Sequence, residues 1–331
     1  MQTLLKNSRA YRLLQTETLN NRFSHAYLLQ MNDARNLRSA LKLFAKLFFH
    51  CENERDEREQ NISRRIDNEN FSDCLFYPDA GKKFMVEDAE RLTEEATLKP
   101  VESDKKVFII TDFAEANTSS QNKLLKLLEE PPENVVFLLG ATTVYPVLAT
   151  VLSRVAKLEI PPFSEKEIVL ALQRKYAQTP TSQKDFELCA VASGGSLGVA
   201  QDMIEGGEHQ ALLDYAFSLC LATGATLPPL VKKIGETPHK KQLLFLLRLL
   251  YRDAAVLKTH KKTDALLLRS QLPRLQAMTE KYLLSSLIYA QGVITQAEKD
   301  LAFNAVFPQL LEITLSKILL QNAKNIRKQK R

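Results

Sequence analysis

Two short runs of β-branched and aliphatic residues, Val107–Thr111 and Val135–Leu139, constrain this chain most, because each has the length of a strand buried on both faces. A helical pattern separates them, so the stretch from Lys105 to Pro162 reads as a βαβ unit. Thr118 followed three residues later by Gln121 predicts a capping box at the start of that helix, and Pro131-Pro132, which cannot continue a helix, predicts its end. A polar turn at Ala141-Thr142-Thr143, a short helical segment and Ser153-Arg154-Val155 then lead into a third apolar run, Ala156–Ile160.

Around this unit the chain supplies the remaining pieces of an α/β domain. Residues 1–22 have the spacing of a short amphipathic helix, Ser24–Leu29 reads as a first strand, and Asn36–Phe49 as a helix with Leu37, Leu41, Phe44, Ala45 and Phe48 on one face. Residues 50–73 alternate acids and bases with few apolar positions and read as a solvated insertion. Cys74–Tyr77 is a strand candidate, and Val86–Leu98 a helix with Val86, Ala89, Leu92 and Ala96 aligned. Pro161-Pro162 marks a domain boundary. Ser164 and Glu167 form a second capping box opening a helix to Ala177, Thr179–Gln183 is a loop, Asp185–Ala192 is helical, and Gly194–Ala200 opens a third helix. From Gly207 onward Leu212–Leu221, Lys240–Lys258, Leu275–Ile294 and Leu301–Leu320 carry helical apolar spacing, and Leu243–Tyr251 is apolar nearly all round, as a buried or interface helix would be.

Composition narrows the function classes. With 331 residues, 45% hydrophobic and 25% charged, the chain has the make-up of an ordinary globular protein of two or three domains. Met1–Ala10 lacks the continuous apolar core of a leader, and the uncharged run Val135–Leu152 is interrupted by Gly140, Pro146 and three threonines, so no membrane segment is expected. The four scattered cysteines (Cys51, Cys74, Cys189, Cys220), without a CxxC, suit a reducing cytoplasm. A net charge of +6 permits a nucleic-acid partner. The basic clusters at Lys232-Lys233, His239–Lys241, Lys258–Lys262 and Lys324–Arg331 read either as solvated surface or as phosphate-attracting patches.

Asp112 at a strand end, the run Asn122–Pro132 (NKLLKLLEEPP), the pair Thr142-Thr143, and LATVLSR ending in Ser153-Arg154 together resemble the AAA+ clamp-loader family of bacterial DNA polymerase III. The likeness is centred on residues 105–162 and extends in order, more weakly, over most of the chain. It implies a RecA-like α/β domain with a five-stranded parallel sheet at 1–162, a three-helix lid at 163–206, and an all-α collar at 207–331 that holds a ring of subunits. It further implies tau/gamma ATPase and delta subunits as partners, with the sliding clamp and primer-template DNA reached through the complex.

In that family the strand at Ser24–Leu29 runs into a phosphate loop, GxxxxGK[ST]. Here residues 30–39 read QMNDARNLRS: the glycines and the lysine are absent, and Asp33 adds a negative charge where phosphates would sit. Phe113 follows Asp112 where hydrolysing relatives place the glutamate that activates water, which leaves Asp112 as a helix-side cap or hydrogen-bond anchor. Gly198 stands where the resemblance places a lid arginine, and Thr142 or Thr143 falls at a phosphate-sensing position. No cofactor and no intrinsic activity are therefore expected, only membership of the polymerase holoenzyme, a DNA-directed DNA polymerase. Many relatives carry a four-cysteine zinc module near residues 50–73; Cys51, Cys74 and His50 do not complete such a site, and no metal is expected.

Arg154, with Ser153 beside it, is the candidate site. The resemblance implies that this arginine reaches across a subunit interface to the γ-phosphate held by a neighbour, as a trans arginine finger. Read from the residues alone, it is a surface arginine paired with a carboxylate such as Glu159. Two further readings stay open: an ATPase with an unorthodox loop, and a free-standing DNA-binding protein using its basic C-terminal helices.

Overall fold

The computed structural model describes residues 1–179, 181–206, 209–260, 265–303 and 305–329, and these divide into two compact units, Met1–Glu167 with Gly195–Val199 and Ile168–Gly194 with Ala200 onward. Pro180, Gly207, Lys261-Lys262, Asn304 and Lys330-Arg331, on which some sequence expectations fall, lie outside the described residues.

The first unit is built on strands β1 (Ala26–Met31), β2 (Cys74–Tyr77), β3 (Lys106–Ile110), β4 (Val135–Ala141) and β5 (Ala156–Ile160). Among the described residues they form one five-stranded sheet, parallel throughout, in the order β2-β3-β4-β1-β5. The expected α/β class with a five-stranded parallel sheet is what the chain forms. The register sets Ile109 beside Leu138, Leu138 beside Tyr27, and Leu29 beside Leu158. Side chains alternate faces along a strand, so the sheet has two cores. Val107, Ile109, Val136 and Leu138 pack with Leu37, Leu41 and Phe44 on one side; Phe108, Ile110, Phe137 and Leu139 pack with Leu92, Leu124 and Leu128 on the other. Each fully buried Leu or Phe contributes about 1.5–3 kcal/mol, so this double cover is what holds the sheet.

Helices α1 (Gln2–Lys6), α2 (Arg9–Leu19), α3 (Ala34–Ala45), α4 (Glu57–Asp67), α5 (Val86–Ala96), α6 (Thr118–Glu129) and α7 (Ala149–Leu152) complete the unit. Residues 1–22 form two helices because Ser8 caps the second, its Oγ accepting from Tyr11 N at 3.2 Å. The predicted helix to Phe49 is α only to Ala45 and ends as a 3-10 turn, Lys46–Phe49. The supposed insertion contains α4. Asp56 caps it through Glu59 N at 2.8 Å, Glu57 and Glu59 lie in its first turn and Arg64 and Arg65 in its last, and Ile66 is buried beneath it. Its charges suit the helix dipole; read as composition alone, they concealed a helix. On α6 the cap is Asn117 rather than Thr118: Asn117 Oδ1 accepts from Ser120 N at 2.8 Å.

The second unit contains most of α8 (Glu165–Lys175), then α9 (Gln183–Ala192), most of α10 (Leu197–Gly206), α11 (His209–Leu221), α12 (Leu227–Ile234), α13 (Lys240–His260), α14 (Leu272–Lys281), α15 (Leu284–Ala302) and α16 (Phe307–Gln329). Leu243, Leu244, Leu246, Leu247, Leu250 and Tyr251 of α13 are wholly buried, as their all-round apolarity implied. The helix predicted at Leu275–Ile294 is instead two, because Tyr282 and Leu283 are extended (ψ 141° and 152°). Asn322 stabilises that break, accepting from Leu283 N at 3.1 Å and donating to Lys281 O at 3.0 Å. Likewise Leu301–Leu320 is split between the end of α15 and α16.

Candidate functional site

The chain leaves β4 at its carboxyl end, where parallel sheets hold their ligands, and reaches Arg154 through the loop 142–148 and α7. Gln121 fixes that loop from below. It is 2% exposed, its Nε2 donates to Ala116 O at 3.0 Å and Pro146 O at 3.1 Å, and its Oε1 accepts from Leu148 N at 2.9 Å. Sequence reading gave Gln121 a capping role; the side chain points into the unit and positions the next element instead. Val151 then buries one side of α7, and Arg154 N donates to Val151 O at 2.9 Å, so the arginine side chain emerges at the surface.

Arg154 lines an open groove of about 620 Å³ with Ser24, His25, Glu129, Ser153 and Ala156. Its Nη2 meets Glu129 Oε1 at 2.6 Å, and its Nη1 donates to Thr150 O at 2.7 Å and Ser153 Oγ at 3.0 Å. The surface partner is thus Glu129, not Glu159, which strand β5 carries away from the turn. Ser153 also donates to Thr150 O at 3.0 Å, so serine and carbonyl form one support for the guanidinium. His25 lies at the groove wall with Nε2 2.9 Å from Leu128 O. The arginine side chain is 33% exposed, enough to meet an external anion. Glu129 was visible within the NKLLKLLEEPP run, but nothing local indicates that the last turn of α6 ends beside α7.

The residues at 30–39 make a different arrangement from a phosphate cradle. Asp33, 3% exposed, caps α3: its Oδ1 accepts from Asn36 N at 3.1 Å, and its Oδ2 accepts from Asn36 Nδ2 at 2.9 Å and from Gly198 N at 2.8 Å. Its carboxylate therefore takes the helix N-terminal position that suits an anion. One turn on, the Arg38 fork holds Glu69 (Nε to Oε1 2.7 Å, Nη2 to Oε2 2.5 Å) and donates from Nη1 to Pro78 O at 3.1 Å and Thr111 Oγ1 at 3.2 Å. Of the two expected roles for Asp112, cap or hydrogen-bond anchor, the side-chain cap is not formed; its backbone O accepts from Glu115 N at 2.8 Å instead. Desolvation, then Glu115, push its carboxyl up, against the pull of Arg38. No glycine-lined anion cradle is formed by residues 30–39, because the Asp33 carboxylate itself accepts from the Asn36 and Gly198 amides at the start of α3.

Arg38, then Lys42 at 2.8 Å, hold the Glu69 carboxyl down from 4.5 to about 2. A carboxyl whose folded value lies below its unfolded one stabilises the fold above pH 4.5 and loses that contribution as pH falls toward 2. Unfolding free energy measured against pH is therefore expected to drop across that window, and Glu69→Gln to flatten the drop; an unaltered profile would remove Glu69 from the account.

All four cysteines are buried, and burial raises each thiol, Cys51, Cys189 and Cys220 to about 12. At pH 8 the thiolate fraction of such groups is on the order of 10⁻⁴. A thiol reagent is expected to label none of them in the native chain and all of them in denaturant; rapid native labelling of Cys51 or Cys74 would contradict their burial. No group of three metal-ligating side chains occurs among the described residues. Of the basic clusters, Lys232, Lys233, Lys240, Lys241, Lys324 and Lys328 are exposed, whereas Lys258 Nζ donates to Thr279 O and Tyr282 O, both at 2.6 Å, and serves the fold. No helix among the described residues is long and apolar enough to cross a membrane.

Sheet order and the two covered faces define a five-stranded parallel α/β module. Residues 6–164 match the family described as DNA polymerase III, delta subunit. The chain is 28% identical over 245 residues to DNA polymerase III subunit tau of Bacillus subtilis, covering 70% of this chain and 42% of that one. It is 30% identical over 161 residues to DNA polymerase III subunit delta' of the same organism, covering 48% and 49%. With DNA polymerase III subunit gamma of Buchnera aphidicola it shares 24% over 309 residues, covering 92% and 80%. The chain thus spans less than half the length of the Bacillus relatives. By these matches residues 6–164 are similar to the DNA polymerase III, delta subunit family, and longer stretches of the chain to DNA polymerase III tau, gamma and delta' subunits.

Proposed function

We propose that this chain is the delta-prime subunit of the clamp loader, a ring member that hydrolyses no nucleotide itself and presents Arg154 to ATP held by an adjacent tau/gamma subunit. The observation that carries this reading is the pairing of two opposite states in one unit. Residues 30–39, read here as a degenerate P-loop, run from the end of β1 into α3 with Asp33 capping that helix, while Arg154 stands in an open groove, held by a surface carboxylate that an external phosphate can replace. The delta' relative, 30% identical over about half of each chain, supports the same assignment.

In this reading residues 1–162 form the α/β module, 163–206 the lid and 207–331 the collar through which the chain joins tau/gamma and delta subunits. The assembled ring opens the sliding clamp and places it on primed DNA; clamp and primer-template are met through the complex, in the cytoplasm. Arg154 supplies a planar guanidinium, with Ser153 Oγ and Thr150 O holding one of its nitrogens, to the charge that develops on a transferring phosphoryl group.

Equilibrium binding of labelled ATP to the isolated chain is expected to show no saturable site, and mixing with a tau/gamma ATPase and a delta-type subunit to give one complex containing all three. Micromolar ATP affinity in the isolated chain would favour an ATPase in its own right. Failure to enter the complex, with tight salt-dependent duplex binding by the lone chain, would favour a DNA-binding protein.

A further inference from the structure

The residues at 30–39 also form bonds of their own, and those bonds converge on one segment. Asp33 Oδ2 accepts the backbone N–H of Gly198 at 2.8 Å, 165 residues away in sequence. A Cβ on residue 198 would stand 2.2 Å from Asp33 Oδ1 and 2.8 Å from Arg35 Cβ, so glycine is required for this approach. Three residues earlier, Gly195 (φ +87°) lies so close to Pro162 that a Cβ would come within 2.5 Å of Pro162 Cβ, and its carbonyl accepts from Phe163 N at 3.0 Å. Gly195–Val199 accordingly belongs with the first unit although the residues on either side do not.

On the other side of α3, Arg38 joins the carboxyl ends of β2 and β3 by donating to Pro78 O and Thr111 Oγ1, with Glu69 filling the rest of its fork and Phe76 lying 5.5 Å from its guanidinium carbon. In nucleotide-binding relatives of this fold an anion at the helix N-terminus and a cation beside the strand-end aspartate tie these same elements together.

We propose that Asp33 and Arg38 are resident substitutes for the phosphate and the metal ion, so that Gly195–Val199 stays docked on α3 whether or not nucleotide is present. The carboxylate bridges the first turn of α3 to the Gly198 amide as a phosphate oxygen would, and the guanidinium bridges β2 to β3 as a bound cation would. The segment is thereby held on α3 by the chain's own side chains. This inference rests on contacts within the first unit and is read on the isolated full chain, so it stands or falls apart from the role given to Arg154.

Hydrogen exchange tests it. In the wild type, amides of 34–37 and 195–199 are expected to be protected, and magnesium ATP at millimolar concentration to leave that protection unchanged. Asp33→Ala is expected to speed exchange at 195–199 at least tenfold while β3 and β4 keep their protection; Asp33→Asn, which retains one acceptor oxygen, is expected to give an intermediate rate and covers the case in which the alanine variant fails to fold. Arg38→Ala is expected to speed exchange at 77–79 and 110–112. Unchanged exchange at 195–199 in both Asp33 variants, or added protection of the wild type by magnesium ATP, would overturn the proposal.

Discussion

Arg154→Ala is expected to lower clamp- and DNA-stimulated ATP hydrolysis by the reconstituted complex about 10³-fold or more at the site this chain serves, while its own fold and assembly persist. The size of the effect follows from where the guanidinium acts. Charge spreads over the equatorial oxygens of the transferring phosphoryl group, and a planar donor meets two of them at once. The cost to the fold is small, because the side chain is a third exposed and its partners are Glu129, Thr150 O and Ser153 Oγ at the surface; an exposed ion pair of this kind is worth about 0–1 kcal/mol. Arg154→Lys should restore little, since an ammonium cannot reproduce the fork. Glu129→Gln removes the carboxylate that competes with phosphate for Nη2 and should leave turnover unchanged or raised. In the proposed ring other subunits would carry sites of their own, so the measurement is single-turnover hydrolysis resolved by site. Normal rates at every site with Arg154→Ala would refute the trans role.

Local sequence was a good guide wherever burial on both faces left no choice. Cys74–Tyr77 and Ala156–Ile160 are strands over the predicted residues, and β4 begins at Val135 as expected, because runs of β-branched and aliphatic residues bounded by polar turns have few alternatives in a covered parallel sheet. The helices of the second unit were legible as helices but not in their breaks. Tyr282 and Leu283 leave the helical conformation in the middle of an unbroken helical pattern, with neither glycine nor proline to announce it. What decides the break is tertiary: Asn322 satisfies Leu283 N and Lys281 O, and Tyr282 Oη donates to Cys220 O at 2.8 Å. A partner 39 to 62 residues away in sequence leaves no trace in a local window.

The site followed the same division. Arg154 and Ser153 were singled out only through the resemblance carried by the LATVLSR run, and so was the reading of residues 30–39 as a lost phosphate loop. Their partners could not be named. Asp33 was visible as a misplaced charge, but its bond to Gly198, and hence the reason that position must be glycine, depends on the return of the chain to the first unit after α9. Glu129 was passed over in favour of Glu159 because sequence proximity is a poor measure of distance where a strand carries one residue away and a helix end brings another in.

Gln121 shows how far such hidden polar contacts reach. Replacing it with leucine keeps the bulk of the side chain in the unit but leaves Ala116 O, Pro146 O and Leu148 N without their partner. A buried group so stranded costs about 1–3 kcal/mol. Pro146 is exposed and can turn to water, so the sum should be on the order of 3 kcal/mol rather than the full three penalties. For a unit of this size that corresponds to a fall in Tm of about 10 °C by calorimetry. Gln121→Glu should be no better than leucine, since although Oε still accepts from Leu148 N, the buried carboxylate faces the Ala116 and Pro146 carbonyl oxygens. Below its lowered Tm the leucine variant should still assemble, yet hydrolyse ATP at the dependent site more slowly, because the loop 142–148 that carries α7 no longer fixes where Arg154 emerges. A Gln121→Leu chain that is destabilised but turns over at the wild-type rate would show that the arginine is placed by α7 and β5 alone. Wild-type stability would show that the buried amide is dispensable.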